Sequence, residues 1–514
     1  MSIYDKNLSL LTKKNPLLAF QILIAKAECA PYSRPASFPA TDAQIAYIIG
    51  VGDEEWCKQA LRWVKADNTR SLVLLEREAG GFREFFSLKI AEKVVNHPNI
   101  TLALPPFEGT LKSFIRSHLC QPWECIGDAE IKDTITDLVL QMEGMLCLYR
   151  DFGIPQLMNV FSNLLSSKNV RSGEALFGQF ANIPAIICGA GPSLENHLAQ
   201  LKGLENRALI FGGGSALVPL SENGVPFHFA VALDPTSSRR RFSKYTHYEP
   251  PLFYQNQLSH SFFVMNKAPK LCLGENGSFP LEKWLNLPLS YCDVGWNVAT
   301  FATQIAYRLG CDPIVFVGMD LSVSNEKAYA GNLKELRDNP IMCRDRYGNK
   351  VATRLDFFMA KRWLESFARA HVERTFLNAT TGGVTLEGIK DVPLNLTSSS
   401  YDLKSKVHQA TMEAPFLDLS HLPKKLREIK ESVNQCLNQF LDNLTSFREM
   451  GLENEPFYRY HLLPLWDVWK HLLQTEQVVA AMQDPVIEKR VQRIIFLKKV
   501  TEDFKAIYDK RISV

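Results

Sequence analysis

Four short apolar runs, each closing on glycine or aspartate, limit this chain's fold more than any other feature. They are "IPAIICGAGPSL" (Ile183–Leu194), "RALIFGGGS" (Arg207–Ser215), "FHFAVALDP" (Phe227–Pro235) and "DPIVFVGMDLS" (Asp312–Ser322). Each apolar stretch suits a buried strand, and helical patterns separate them, so a parallel sheet with helices on both faces is expected. Ligands of such sheets bind beyond the carboxyl ends of the strands. Here those ends supply Gly189-Ala190-Gly191-Pro192-Ser193, Gly212-Gly213-Gly214-Ser215, Asp234-Pro235 and Gly318-Met319-Asp320. Glycine admits a phosphate or sugar to backbone amides, and a helix N-terminus favours an anion. One glycine turn after a strand is more often a packing device. Four such ends in one domain point to a nucleotide-type site, with Asp234 and Asp320 placed to hold sugar hydroxyls or a cation.

The flanking elements obey the same logic. "SLENHLAQL" puts Leu194, Leu198 and Leu201 on one helical face, with Ser193 placed to accept from the free amides of the first turn. "NVATFATQIAYRLG" (Asn297–Gly310) is a helix stopped by Gly310. Nearer the N-terminus, "AYIIGVGDEEW" (Ala46–Trp56) reads as strand, GxG turn and helix start, and "SLVLLERE" (Ser71–Glu78) as a second strand ending in acid. That is a Rossmann-like opening, but Glu55 stands where the third glycine belongs, so an empty or altered site is the expectation rather than NAD. In the tail, Leu422, Leu426, Ile429, Val433, Leu437, Phe440 and Leu444 form a helix stripe with Gly451 beyond it. Two more helices are expected from "PLWDVWKHLLQTEQVVAAM" and "VIEKRVQRIIFLKKVTEDF". The resulting division is residues 1–170, an N-terminal helix plus a Rossmann-like α/β domain; 171–400, a central doubly wound parallel-sheet domain; and 401–514, an α-helical bundle or dimer surface.

Composition narrows the functions. A chain of 514 residues is too long for one core, and a net charge of +3 argues for neither nucleic acid nor a membrane surface. Eleven cysteines without a CxxC pair or Cys/His spacing read as reduced thiols of a cytoplasmic protein, not a zinc site or disulfide frame. Lys13-Lys14 and the apolar run behind them imitate a signal peptide, yet Lys26 interrupts the end. An amphipathic helix carrying Leu17, Leu18, Ile22 and Ala25 explains the run as well. No apolar run reaches the roughly 20 residues of a membrane span. The GxxxxGK pattern of P-loop nucleotidases is absent.

The order "IICGAGPSLE", "GVPFHFAVALDP", "GWNVATFATQIAYRLGCDPIVFVGMDLS" resembles the central domain of the motility-associated-factor (Maf) flagellin glycosyltransferases. Archaeal pterin pyrophosphokinases of the MptE type share that domain. "DRYGNKVAT" (Asp345–Thr353) and "NATTGGVTLEG" (Asn378–Gly388) look like later motifs of the family, and "NLSLLTKKNPLLAFQI" is similar to the helix that opens Maf proteins. A GxGPSL loop (Gly189, Gly191, Pro192, Ser193, Leu194) and a later set (Leu309, Gly310, Ile314, Gly318, Asp320) are also similar to bacterial sialyltransferases that use CMP-sialate.

The resemblance implies an inverting glycosyltransferase that moves a nonulosonic acid (sialic, pseudaminic or legionaminic type) from a CMP donor to Ser/Thr hydroxyls of a protein such as flagellin. No cofactor is then required. The loop Gly189–Ser193, with Gly213 and Gly318, would take the phosphate and ribose, and Gly295 to Ala299, including Asn297, would lie near the nucleotide. Asp234 and Asp320 are the catalytic candidates; Asn378, Gly382 and Gly383 would face sugar or acceptor. The alternative is an ATP- and Mg-dependent 6-hydroxymethylpterin pyrophosphokinase, where the aspartates would face metal; a second is a catalytically silent nucleotide-binding or scaffold protein. His197, His228, His247, His260 and His371 lie in this region, none in a motif that marks a catalytic histidine. Arg239, Arg240 and Arg241 could hold the donor carboxylate or an acidic acceptor surface but read first as a solvated loop, and Trp296 and Tyr329 could stack on a base or sugar but read first as packing.

Overall fold

The computed structural model describes residues 2–25, 39–40, 42–105, 110–167, 169–236, 250–275, 281–323, 327–329, 332–333, 341–396, 400–446, 451–463, 465–466, 470 and 485–512. The chain divides into two compact units, one built mainly on Met1–Cys147, the other on Leu148–Trp466 with Ala481–Val514. The tail helices that composition set apart therefore fall in the same unit as the central sheet. Among the described residues, no helix is long and apolar enough to cross a membrane, and every cysteine is a free thiol.

In the first unit, β1 (Ile45–Ile49), β2 (Ser71–Leu75), β3 (Ile100–Ala103) and β4 (Trp123–Ile126) form a parallel sheet in the order β3-β2-β1-β4. This is the Rossmann half-order the GxG turn foreshadowed, with the chain reversing between β1 and β4. Helices α1 (Ile3–Lys14) and α2 (Pro16–Ile24) pack into the core of this unit through Leu8, Leu11, Leu18, Ala19 and Ile22. The single amphipathic helix expected there is thus two, broken at Asn15, which caps α2 through its bond from the Leu18 amide. Leu17, expected on the buried stripe, is 69% exposed.

The second unit is built on nine strands: β5 (Val170–Ser172), β6 (Ala185–Cys188), β7 (Leu209–Gly213), β8 (Phe229–Ala232), β9 (Leu252–Tyr254), β10 (Lys270–Cys272), β11 (Ile314–Val317), β16 (Phe376–Asn378) and β17 (Lys390–Asp391). All their pairings are parallel, in the order β17-β16-β11-β6-β7-β8-β9-β10-β5. Because successive side chains alternate sides, each strand feeds two cores. Ala185, Ile187, Phe211, Phe229 and Phe316 face one; Ile186, Cys188, Ile210, Ala230 and Val317 face the other. The pairs β12 (Lys327–Tyr329) with β13 (Asn332–Leu333) and β14 (Ile341–Arg344) with β15 (Lys350–Thr353) are antiparallel, the second being the hairpin of the "DRYGNKVAT" motif.

Two helices of this unit, one beside the sheet and one in the tail, are explained by their sequences. Helix α3 (Val298–Leu309) starts at an Asn297 capping box and stops at Gly310, whose φ of 89° only glycine adopts without strain. Helix α4 (Leu355–Ala370) comes directly after β15. In the tail, α5 (Leu422–Ser446) buries Leu422, Leu426, Ile429, Val433 and Phe440, while Cys436 takes the fully buried place expected for Leu437. Gly451 sits at a separate 3₁₀ turn, Leu452–Asn454. The helix expected over "VIEKRVQRIIFLKKVTEDF" is α6 (Pro485–Ile512); most of "PLWDVWKHLLQTEQVVAAM", His247 and the arginine run 239–241 lie outside the described residues.

Candidate functional site

Strands β7 to β10 follow one another on one side of β6, and β11 lies on the other, so the order of winding reverses between β6 and β11 while all strands stay parallel. A crevice at the carboxyl ends of such a pair is where open α/β sheets bind ligands. The crevice here is a cavity of about 460 Å³, within the range of about 300–1,000 Å³ usual for small-molecule sites. Of the residues singled out from sequence, Gly189, Ala190, Gly191, Gly213, Asp234, Asn297 and Gly318 line it. Trp296 lines it as well. Pro192, Ser193, Gly295, Asp320, Asn378, Gly382 and Gly383 are not on its wall.

The glycines of the first loop have a different partner from the one their spacing suggested. Gly189 donates its amide to the Val317 carbonyl at 2.8 Å and Gly191 to the Gly318 carbonyl at 2.9 Å. The turns after β6 and β11 therefore interlock through their backbones. A Cβ on Gly191 would overlap the Asp320 carboxylate, and one on Gly189 would overlap the Gly318 carbonyl. Ser193, expected to cap a following helix, instead turns to Asp320: its hydroxyl donates at 2.7 Å and its amide at 3.2 Å, both to Oδ2. The segment Pro192–His197 is a 3₁₀ turn whose N-cap is Gly191, with no side-chain cap. With three amides committed inside the protein, Ala190 keeps the one loop amide for which the described residues show no acceptor.

Asp320 is 3% exposed, and burial pushes its carboxyl above the ordinary aspartate range against the opposing pull of the two Ser193 bonds. Its carbonyl accepts the Val384 amide at 2.9 Å, and Gly383, with φ 82°, lies so close that a Cβ would strike that carbonyl. Asn378 holds the neighbouring turn: it accepts from the Thr380 amide at 3.1 Å and donates to Asp391 at 2.8 Å, while the Thr380 hydroxyl accepts the Met319 amide at 3.0 Å. Asn378 and Gly383 thus buttress the Asp320 turn from behind.

The wall opposite the loop is made by the start of α3. The Asn297 side chain accepts from the Ala299 and Thr300 amides, each at 2.9 Å, and Gly213 leaves room for Val298 to pack against the end of β7. Gly295, with φ 59°, lets the chain turn under Thr300 and Trp363; Asp293 pins this turn, accepting from Trp363 Nε1 at 2.8 Å and the Gly295 amide at 3.0 Å. Asp234 enters from the end of β8, half-buried. The helix Ala129–Leu165 adds Leu148 and Phe152 and is tied to the strand ends by Asn159, which donates to the Pro235 carbonyl at 2.8 Å and the Gln257 carbonyl at 3.0 Å. Arg354, Asp356 and Phe357, at the start of α4, complete the lining. Nothing in the sequence marked these three; the only signal is their place just after the "DRYGNKVAT" hairpin.

Among the described residues, no histidine lines the cavity. His197 and His228 are buried, His260 bonds Asn163 Oδ1 at 2.9 Å, and His371 packs on Tyr307 and Phe367. Among the described residues, no group of three or more His, Cys, Asp or Glu side chains is arranged to hold a metal ion.

In the first unit the strand ends are bonded to one another by their own side chains. Glu76, just past β2, turns under the GxG loop and accepts the Val51 amide at 2.8 Å. It is 3% exposed, and burial raises its carboxyl to about 7. Arg77 pairs with Asp128, beyond β4, at 2.5 Å. A loop amide that would meet a dinucleotide phosphate is thus satisfied by a glutamate.

Comparison with known proteins agrees with this architecture. Residues 158–326 match the family model described as 6-hydroxymethylpterin diphosphokinase MptE-like. The fold is similar to the solved structure of a Maf glycosyltransferase from Magnetospirillum magneticum AMB-1, with a TM-score of 0.58 and 14% identity over 99% of this chain and 97% of that one. No curated protein matches the sequence. Residues 158–326 thus carry an MptE-like domain, and the chain has, over nearly its whole length, the fold of a Maf glycosyltransferase.

Proposed function

We propose that the cavity between the β6 and β11 strand ends binds a CMP-activated nonulosonic acid and that the protein transfers its sugar to a hydroxyl of a protein acceptor, flagellin being the acceptor class the resemblance implies. The observation that supports this most is the site's place: a cavity of about 460 Å³ at the sheet's reversal point, in a chain that shares a glycosyltransferase fold over 99% of its length. Trp296 offers a face for a base. Departure of CMP leaves negative charge on the phosphate, which the Ala190 amide and the start of α3 are placed to stabilise. The acceptor hydroxyl must lose a proton as it attacks. Asp234 is on the cavity wall and Asp320 is locked beneath the loop, so the base role goes to Asp234 and a positioning role to Asp320.

Asp234→Asn is accordingly expected to lower turnover by about 10²-fold or more, with CMP affinity kept within a few-fold. Equal turnover in the variant and the wild type would remove Asp234 from the mechanism.

The MptE-like match favours a second reading, pyrophosphoryl transfer from ATP to a pterin alcohol. The two separate in one assay. The protein is incubated with a CMP-activated nonulosonic acid and flagellin, and in parallel with ATP, magnesium and 6-hydroxymethylpterin. Release of CMP with a matching mass gain on the acceptor is the expected result. Formation of AMP and a pterin diphosphate, without CMP release, would establish the second reading instead.

A further inference from the structure

We propose that Arg354 is the cavity's anion clamp, the side chain that grips a two-oxygen anionic group of the ligand, with Asp356 holding its place when no ligand is bound. The inference rests on reading the cavity as the donor site. Arg354 is the N-cap residue of α4, with extended backbone. Its Nε donates to Asp356 Oδ1 at 3.0 Å while Nη2 pairs with Oδ2, so both carboxylate oxygens are engaged by the guanidinium edge. The guanidinium carbon lies 4.4 Å over the Phe357 ring. All three residues border the same cavity as Ala190 and Asn297.

Two features separate this arrangement from an ordinary surface ion pair. A cation at a helix N-terminus is opposed by the helix dipole, and α4, 16 residues long, has Arg354 at its N-cap and no side-chain cap bond. Stability of α4 alone does not call for arginine there. The pair is also within reach of a ligand: Arg354 and Asp356 side chains are 26% and 46% exposed, so an anion in the cavity can compete with Asp356 for the guanidinium. A guanidinium is a planar fork that matches carboxylate and phosphate oxygens two at a time, and here it lies over an aromatic ring. A nonulosonic donor offers both groups, one on the sugar and one on the nucleotide.

The test is calorimetric titration of the full chain, as wild type, Arg354→Lys, Arg354→Ala and Asp356→Asn, with CMP, the CMP-activated nonulosonic acid, and ATP with magnesium. Thermal melts confirm that each variant is folded. Arg354→Lys and Arg354→Ala are expected to weaken donor binding at least tenfold, because lysine keeps the charge and loses the fork. Asp356→Asn is expected to tighten it about threefold by removing an internal competitor, a gain that a merely structural pair would not give. Loss confined to the donor places the sugar carboxylate on Arg354, and equal loss for CMP places the phosphate there. If only ATP binds the wild type, the donor reading fails while the clamp is judged on the same Arg354 comparison. Unchanged affinity in both Arg354 variants, or a wild type that binds none of these anions, would overturn the proposal.

Discussion

Gly191→Ala is expected to destabilise the second unit by about 3 kcal/mol and to abolish ligand binding at the cavity. The added Cβ would overlap the Asp320 carboxylate, and the turn cannot retreat because the Gly191 amide is bonded to the Gly318 carbonyl at 2.9 Å. The clash must push Asp320 out of its bonds with Ser193, leaving a buried carboxylate under-satisfied. Denaturant unfolding of the variant measures the loss. The same change in an Asp320→Gly background should cost much less, since the overlapping group is gone, giving a coupling of about 1–3 kcal/mol in the double-mutant cycle. Strict additivity would mean that Gly191 is there for the ligand and not for Asp320.

Glu76→Gln should remove a pH-dependence from the first unit. The Glu76 carboxyl is raised to about 7 by burial, against an ordinary value near 4.3 when unfolded. A carboxyl raised on folding contributes stability that is fully present below its unfolded value and lost as pH climbs through its folded one. Wild type therefore loses about 3 kcal/mol between roughly pH 4 and pH 8 relative to the glutamine variant. Glutamine is neutral throughout and can still accept the Val51 amide, now at 2.8 Å from Glu76. Urea unfolding of both proteins at pH 5 and pH 8 reads the difference directly. Parallel stabilities across that range would show that Glu76 is already ionised in its crevice at pH 5.

The sequence disclosed topology well because topology rests on local signals. Runs such as Ile186–Cys188 and Ile314–Val317 are apolar on both faces, which only a doubly covered strand tolerates. Gly310 and Asn297 mark the ends of α3 by their own chemistry. The cavity's place at the strand ends comes from the same pattern, and half of the chosen residues line it. What local pattern does not show is the partner: a loop glycine looks alike from sequence whether it admits a ligand, a neighbouring chain segment or both. The partner of Gly191 and Ser193 is Asp320, more than a hundred positions away, and no local pattern ties them. Ser193 as a helix cap failed for that reason, since its hydroxyl had a buried carboxylate to satisfy. Arg354 and Asp356 were invisible because "TRLDFF" reads as an ordinary helix start until the fold brings it to the crevice.

The most direct test of the account is the binding of CMP to the full chain without magnesium, compared between the wild type and Ser215→Trp. Ser215 is on the cavity wall, and an indole there would occupy the space assigned to the nucleotide. The account predicts that the wild type binds CMP and that the variant, folded as judged by its melt, loses at least tenfold in affinity. CMP binding that survives the filled cavity, or a wild type that binds ATP only with magnesium and ignores CMP, would contradict it.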